Sequence, residues 1–138
     1  MIRRIEKLIL REIDFNLLKS HAEKIYPLEA PAILIGKIMA NIASVDEVIL
    51  TKNNDESPIS FTIDSTELLE IYKKANRENK EVVGIFHSHP APPKPSRLDM
   101  KFMSSNPFVW IIMSMPGGDF EAYQLWNNIL HKVNIIFN

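Results

Sequence analysis

The segment from Glu81 to Asp99 constrains this chain more than any other. Glu81-Val-Val-Gly-Ile-Phe86 is short, apolar and β-branched, the composition of a strand. It runs straight into His87-Ser88-His89-Pro90, and Pro92, Pro93 and Pro95 follow. Proline fixes φ and removes a backbone donor, so the strand must give way to a stiff loop. Ser96 then stands where a helix N-cap belongs, with Asp99 at the third helical position and Leu98 and Phe102 on one side of a short helix.

Residues two apart on a strand share a face, so His87 and His89 could grip one metal ion. Asp99, at the start of the helix after the stiff loop, can bring its carboxylate back toward both imidazoles. Cysteine is absent, which removes disulfides, thiolate ligands and a cysteine nucleophile together. Any metal must therefore be held by nitrogen and oxygen. Three such ligands suit zinc, whose catalytic sites keep the fourth tetrahedral position for water. Zinc lowers the pKa of that water to roughly 7 and polarises carbonyl oxygens. Iron or manganese would also accept this set, since affinity order alone does not set occupancy. Amide hydrolysis further needs a proton shuttle, and spacing leaves that role open among Glu12, Glu23, Glu29, Glu47, Glu67, Glu70, Glu81 and Glu121.

The rest of the chain supplies a scaffold. Lys7 to Ile13 reads as a short strand, and Asp14 as the N-cap of a helix from Phe15 to Ile25 that buries Phe15, Leu18, Ala22 and Ile25 and ends before Pro27. Ala32 to Ala40 and Ile42 to Leu50 read as strands, Thr51 to Ser57 as a polar loop and Ile59 to Ile63 as another strand. Asp64 with Glu67 resembles a capping box, opening a helix over Ser65 to Asn76. Phe108 to Ser114 and Phe120 to Trp126 flank the turn chemistry of Met115-Pro-Gly-Gly-Asp119, and Leu130 to Phe137 adds a strand. Helices and strands alternate and then give a hairpin, so the expected fold is α/β, a mixed β-sheet flanked by helices. A length of 138 residues suits a single domain, 1–138.

With 46% apolar and 24% charged residues, the chain has the balance of an ordinary globular protein. Its 16 basic and 17 acidic residues leave a formal charge of -1, so no strong field favours nucleic acid or an anionic membrane. Charges interrupt the stretch from Met1 to Ile13, which reads as folded protein rather than a secretory signal. No apolar run approaches the roughly eighteen residues of a membrane span. A cytoplasmic location is expected by default.

Each candidate also has a plainer reading. His21 and His131 lack motif context and read as structural or surface residues. Ser96 could be an N-cap alone, Asp99 could serve the helix dipole, and Glu29 could be a solvated loop carboxylate. Ser88 lies between the histidines on the opposite strand face, which disfavours it as a nucleophile. Trp110, Trp126 and Met113 read as core.

The run His87-Ser88-His89-Pro90, then Ser96, two residues and Asp99, resembles the signature of the JAMM (MPN-plus) family of zinc metallopeptidases. Glu29-Ala-Pro-Ala-Ile-Leu-Ile-Gly36 is similar to that family's upstream glutamate segment. The resemblance implies a cytidine-deaminase-like α/β fold and one zinc ion per chain on His87, His89 and Asp99. It implies Glu29 as the group that takes a proton from water and hands it to the leaving amine. It implies Ser96 as the hydrogen-bond partner of the oxyanion. The implied substrate is an isopeptide or peptide bond at the C-terminus of a ubiquitin-like or sulfur-carrier protein, its tail extended beside a sheet edge. Two features depart from the pattern: the loop from Pro90 to Leu98 is one residue shorter than the commoner spacing, and Pro31-Ala32 replaces a small pair. The alternatives are a non-catalytic MPN-type scaffold, against which the intact ligand set argues, and a zinc hydrolase of a small amide, which would need a closed pocket. The identity of the modifier and a homodimer stay open.

Overall fold

The computed structural model describes residues 3–138; Met1 and Ile2, part of the stretch expected to be folded, lie outside the described residues. In chain order the elements are β1 (Lys7–Leu10), α1 (Glu12–Ile25), β2 (Ala32–Met39), β3 (Ile42–Leu50) and α2 (Ser65–Arg77). Next come β4 (Glu81–His89), α3 (Arg97–Ser105), β5 (Val109–Ser114), β6 (Phe120–Trp126) and β7 (Ile129–Phe137). The strand order β1-β3-β2-β4-β5-β6-β7 closes on itself, because β1 and β7 pair in parallel from Lys7 opposite Asn134 to Leu10 opposite Phe137. Joins β1–β3 and β4–β5 are also parallel, and the others are antiparallel. The α/β class and the mixed sheet are as expected. The strands nevertheless close into a seven-stranded barrel, which the expectation of a mixed sheet flanked by helices did not specify, because the first and last strands pair.

Period-two alternation, interrupted at Val83 where the β2–β4 register shifts, divides the apolar residues between two cores. Leu34, Val83, Phe86, Val109, Ile111 and Met113 face one side with Leu18 and Ala22 of α1. Ile33, Ile35, Ile85, Trp110 and Ile112 face the other with Ile71 and Ala75 of α2 and Met103 of α3. Each fully buried Leu, Ile or Phe is worth about 1.5–3 kcal/mol relative to exposure, so both helical layers are held mainly by these stripes. The β2–β3 register shifts between Ile35 and Gly36, where the strands approach so closely that a Cβ on Gly36 would lie 1.7 Å from the Ser44 carbonyl oxygen.

Several local expectations change. The strand read to Ile13 stops at Leu10, and α1 starts at Glu12 with Arg11 at the N-cap and no side-chain cap. Asp14, expected as the cap, is a buried helical residue whose carboxylate accepts from Arg11 Nε at 2.7 Å. Ile59 to Ile63 forms no strand. Its backbone is bonded elsewhere: Ser60 O accepts from Asn53 Nδ2, and Thr62 N–H donates to Asn53 Oδ1. Asp64 does cap α2, its carboxylate accepting from Glu67 N–H at 3.0 Å. Among the described residues, no helix is long and apolar enough to cross a membrane.

Candidate metal centre

Strand β4 carries His87 and His89 at its end on the face of Ile85, the side of the α2–α3 core, so alternation places both imidazoles together. His87 is fully buried, its ring tilted against Phe61 with centroids 5.1 Å apart and edge-on to Trp110 at 5.8 Å. The stiff loop then delivers α3 with a complete capping box. Ser96 Oγ accepts from Asp99 N–H at 3.0 Å, and Asp99 Oδ2 accepts from Ser96 N–H at 2.9 Å. That same Asp99 oxygen lies 3.2 Å from His87 Nε2. One ligand atom from each of His87, His89 and Asp99 lies within 4.8 Å of the others, and all three residues are buried. This cluster could hold a metal ion.

Two further observations fit a cation here. Buried polar atoms normally find partners, yet Glu29 Oε1, which lies 3.9 Å from His87 Nε2, has none. The donor set, two imidazoles and a carboxylate, is also one that zinc accepts. Charges are tuned accordingly. Burial opposes the charge of Asp99, but the hydrogen bond and charge of His87, with the Ser96 bonds, outweigh it and hold the carboxyl below its ordinary range. Burial, then the His87 charge, push His89 down, which favours the neutral ring that ligates metals. Burial, then Asp99 and Asp55, push Glu29 up to about 8.

Glu29 precedes β2 and is 3% exposed, with Oε1 3.9 Å from His87 Nε2. Its backbone N–H donates to Ser57 O at 2.8 Å. The next amide, Ala30 N–H, donates to Ser88 Oγ at 3.1 Å. Ser88 thus points away from the histidines, as expected of it, and fixes the loop that carries Glu29. Pro31 O accepts from Thr51 Oγ1 at 3.0 Å and from His21 Nε2 at 2.9 Å. His21 is therefore structural, as read, and Trp110 and Met113 are core residues.

A cleft of about 330 Å³ opens over the cluster, lined by Glu29, Pro58, Ile59, His89, Pro90 and Ser96 among others. Glu29, His89 and Ser96 were expected there. Sequence reasoning missed the opposite wall, Pro58 and Ile59, and the buried Thr51 and Asn53 behind it. The only signal for these was the polar, turn-like Lys52-Asn-Asn-Asp55.

A family model described as prokaryotic homologs of the JAB domain matches residues 15–127, a span that contains Glu29, His87, His89, Ser96 and Asp99. A desampylase from Pyrococcus furiosus is 38% identical over 95 residues, which is 65% of this chain and 65% of that protein. The chain thus spans just under two thirds of that relative's length. A CysO-cysteine peptidase from Mycobacterium tuberculosis is 28% identical over 108 residues, 78% of this chain and 73% of that one. The solution structure of a protein from Desulfitobacterium hafniense superposes with a TM-score of 0.84 at 26% identity, covering 95% of this chain and 92% of the other. A Salinibacter ruber protein gives 0.70 at 21% identity over 97% and 92%, a likeness of fold alone.

Proposed function

Given that this chain belongs to the prokaryotic homologs of the JAB domain, we propose that it is a zinc-dependent peptidase acting at the C-terminus of a ubiquitin-like or sulfur-carrier protein. The observation that carries this reading is the buried His87-His89-Asp99 cluster with the Glu29 carboxylate beside it. The names of two relatives, desampylase and CysO-cysteine peptidase, support the substrate class.

His87, His89 and Asp99 would hold the ion. Bound zinc would supply Lewis acidity, which acidifies water and polarises the scissile carbonyl. Glu29 takes the proton of the attacking water and returns it to the leaving amine, as a general base and then a general acid. Its burial keeps the group near neutral range, and a neighbouring cation would bring the value down from about 8. Ser96 Oγ is an acceptor for Asp99 N–H, which leaves its hydroxyl proton free to donate to the oxyanion. The cleft is open rather than closed around a small molecule, in keeping with a protein tail as substrate.

Elemental analysis of the protein and of His89→Ala and Glu29→Gln, paired with cleavage of a ubiquitin-like protein joined through its C-terminus to lysine, tests the reading. One zinc per chain in wild type and Glu29→Gln, its loss in His89→Ala, and cleavage by wild type alone are expected. Wild type that is folded, metal-free and inactive would overturn it in favour of a scaffold.

A further inference from the structure

We propose that Asn53 is a positioning residue, whose buried amide ties the Glu29 carbonyl to the loop over His87 and so sets where the general base sits. The inference rests on the role assigned to Glu29 above.

Asn53 is 3% exposed and lies just beyond β3. Its Nδ2 donates to Ser60 O at 2.9 Å, to Glu29 O at 3.1 Å and to Ser57 O at 3.3 Å. Its Oδ1 accepts from Asp55 N–H at 3.0 Å and from Thr62 N–H at 3.2 Å. An amide has two N–H donors and one oxygen with two lone pairs, so this side chain is used to capacity, with one N–H shared between two of its three carbonyl acceptors. Every partner is backbone, which means that Asn53 fixes the course of the chain whatever side chains it carries.

Two of the segments it joins bear directly on the centre. Glu29 is clamped on both sides, its N–H on Ser57 O and its carbonyl on Asn53, while Ser57 O itself also accepts from Asn53. Phe61 lies between Ser60 and Thr62, both held by the same amide, and its ring packs on His87. Pro58 and Ile59, in the stretch between these bonds, form a wall of the cleft. The base, the backing of one metal ligand and a cleft wall therefore depend on one side chain that touches none of the reacting atoms. Misplacement of a catalytic group by about 1 Å can cost on the order of 100-fold in rate, so the amide's loss should be read in turnover.

The test compares wild type, Asn53→Ala and Asn53→Asp in the zinc-loaded protein, using cleavage of the conjugate named above and amide hydrogen exchange. Asn53→Ala should keep its zinc and its KM within about twofold, while kcat falls at least about tenfold. Exchange at the Glu29 amide should accelerate about tenfold or more, with Ile112 in β5 unchanged. Asn53→Asp keeps an acceptor for Thr62 N–H but loses the donors to Glu29 O, so kcat should stay low even where Thr62 remains protected. Unchanged Glu29 exchange overturns the proposal whether or not the protein is active. So does a loss confined to KM, or an Asn53→Asp variant that regains kcat. If Asn53→Ala fails to fold, the aspartate variant carries the same decision. Wild type that cleaves nothing refutes the assigned function instead, and the exchange rates then decide the tie alone.

Discussion

Replacing Glu29 with glutamine in the metal-free protein should stabilise it increasingly as pH rises. Glu29 is 3% exposed, and burial first, then the charges of Asp99 and Asp55, raise its pKa from the ordinary 4.5 to about 8. Below pH 4.5 both folded and unfolded chains carry the proton, and Glu29 makes no pH-dependent contribution. Between 4.5 and about 8 the unfolded chain has released it while the folded one retains it, so stability falls as pH rises and the penalty is complete above about 8. At 1.36 kcal/mol per pH unit the whole gap is worth about 5 kcal/mol. Solvent in the open cleft screens the charge, which reduces the expected effect to about 2 kcal/mol. Glutamine has no such titration. Urea unfolding with a chelator, at pH 5 and again at pH 8.5, should show Glu29→Gln gaining about 2 kcal/mol on wild type between the two conditions. Differences that stay equal at both pH values would refute the claim that Glu29 is held protonated by burial.

Ser96→Ala removes the α3 cap and should lower unfolding free energy by about 1 kcal/mol, measured in urea, and kcat by roughly 100-fold if its hydroxyl serves the oxyanion. Zinc at about 100 times its Kd should stabilise wild type by about 2.7 kcal/mol in thermal or urea unfolding and leave His89→Ala unaffected. Gly36→Ala drives a methyl into the Ser44 carbonyl and should destabilise by about 3 kcal/mol, detected as a lower urea midpoint with an unchanged slope.

The parts of this molecule legible in its sequence are those governed by short-range rules. The β-branched run before His87, the prolines after it and the cap at Ser96 act on near neighbours, and β4, the stiff loop and α3 follow from them. The histidine pair was legible for the same reason, since alternation along one strand needs no tertiary knowledge. Glu29 was not legible from spacing: it reaches the site because Asn53 and Ser57 of one loop and Ser88 of β4 hold its loop from two distant parts of the chain. The misread of Ile59 to Ile63 has the same origin, for a side-chain amide took the backbone bonds that an apolar, β-branched run would otherwise give to a ladder. Asp14 looked like a cap because its residue type favours one, but it sits within the first turn and its carboxylate is taken by the guanidinium of Arg11 at the N-cap. Closure of the barrel left no local mark at all.

That closure orders the folding process. Loop-closure entropy must be met before a non-local pair returns any stabilisation, so pairs of large sequence separation form late. The join between Lys7–Leu10 and Asn134–Phe137 unites opposite ends of the described chain, whereas Glu29, His87, His89, Ser96 and Asp99 all lie between them. The seam should thus zip last and part first, leaving β4 and α3, which carry the candidate ligands, assembled in a chain whose ends have already separated.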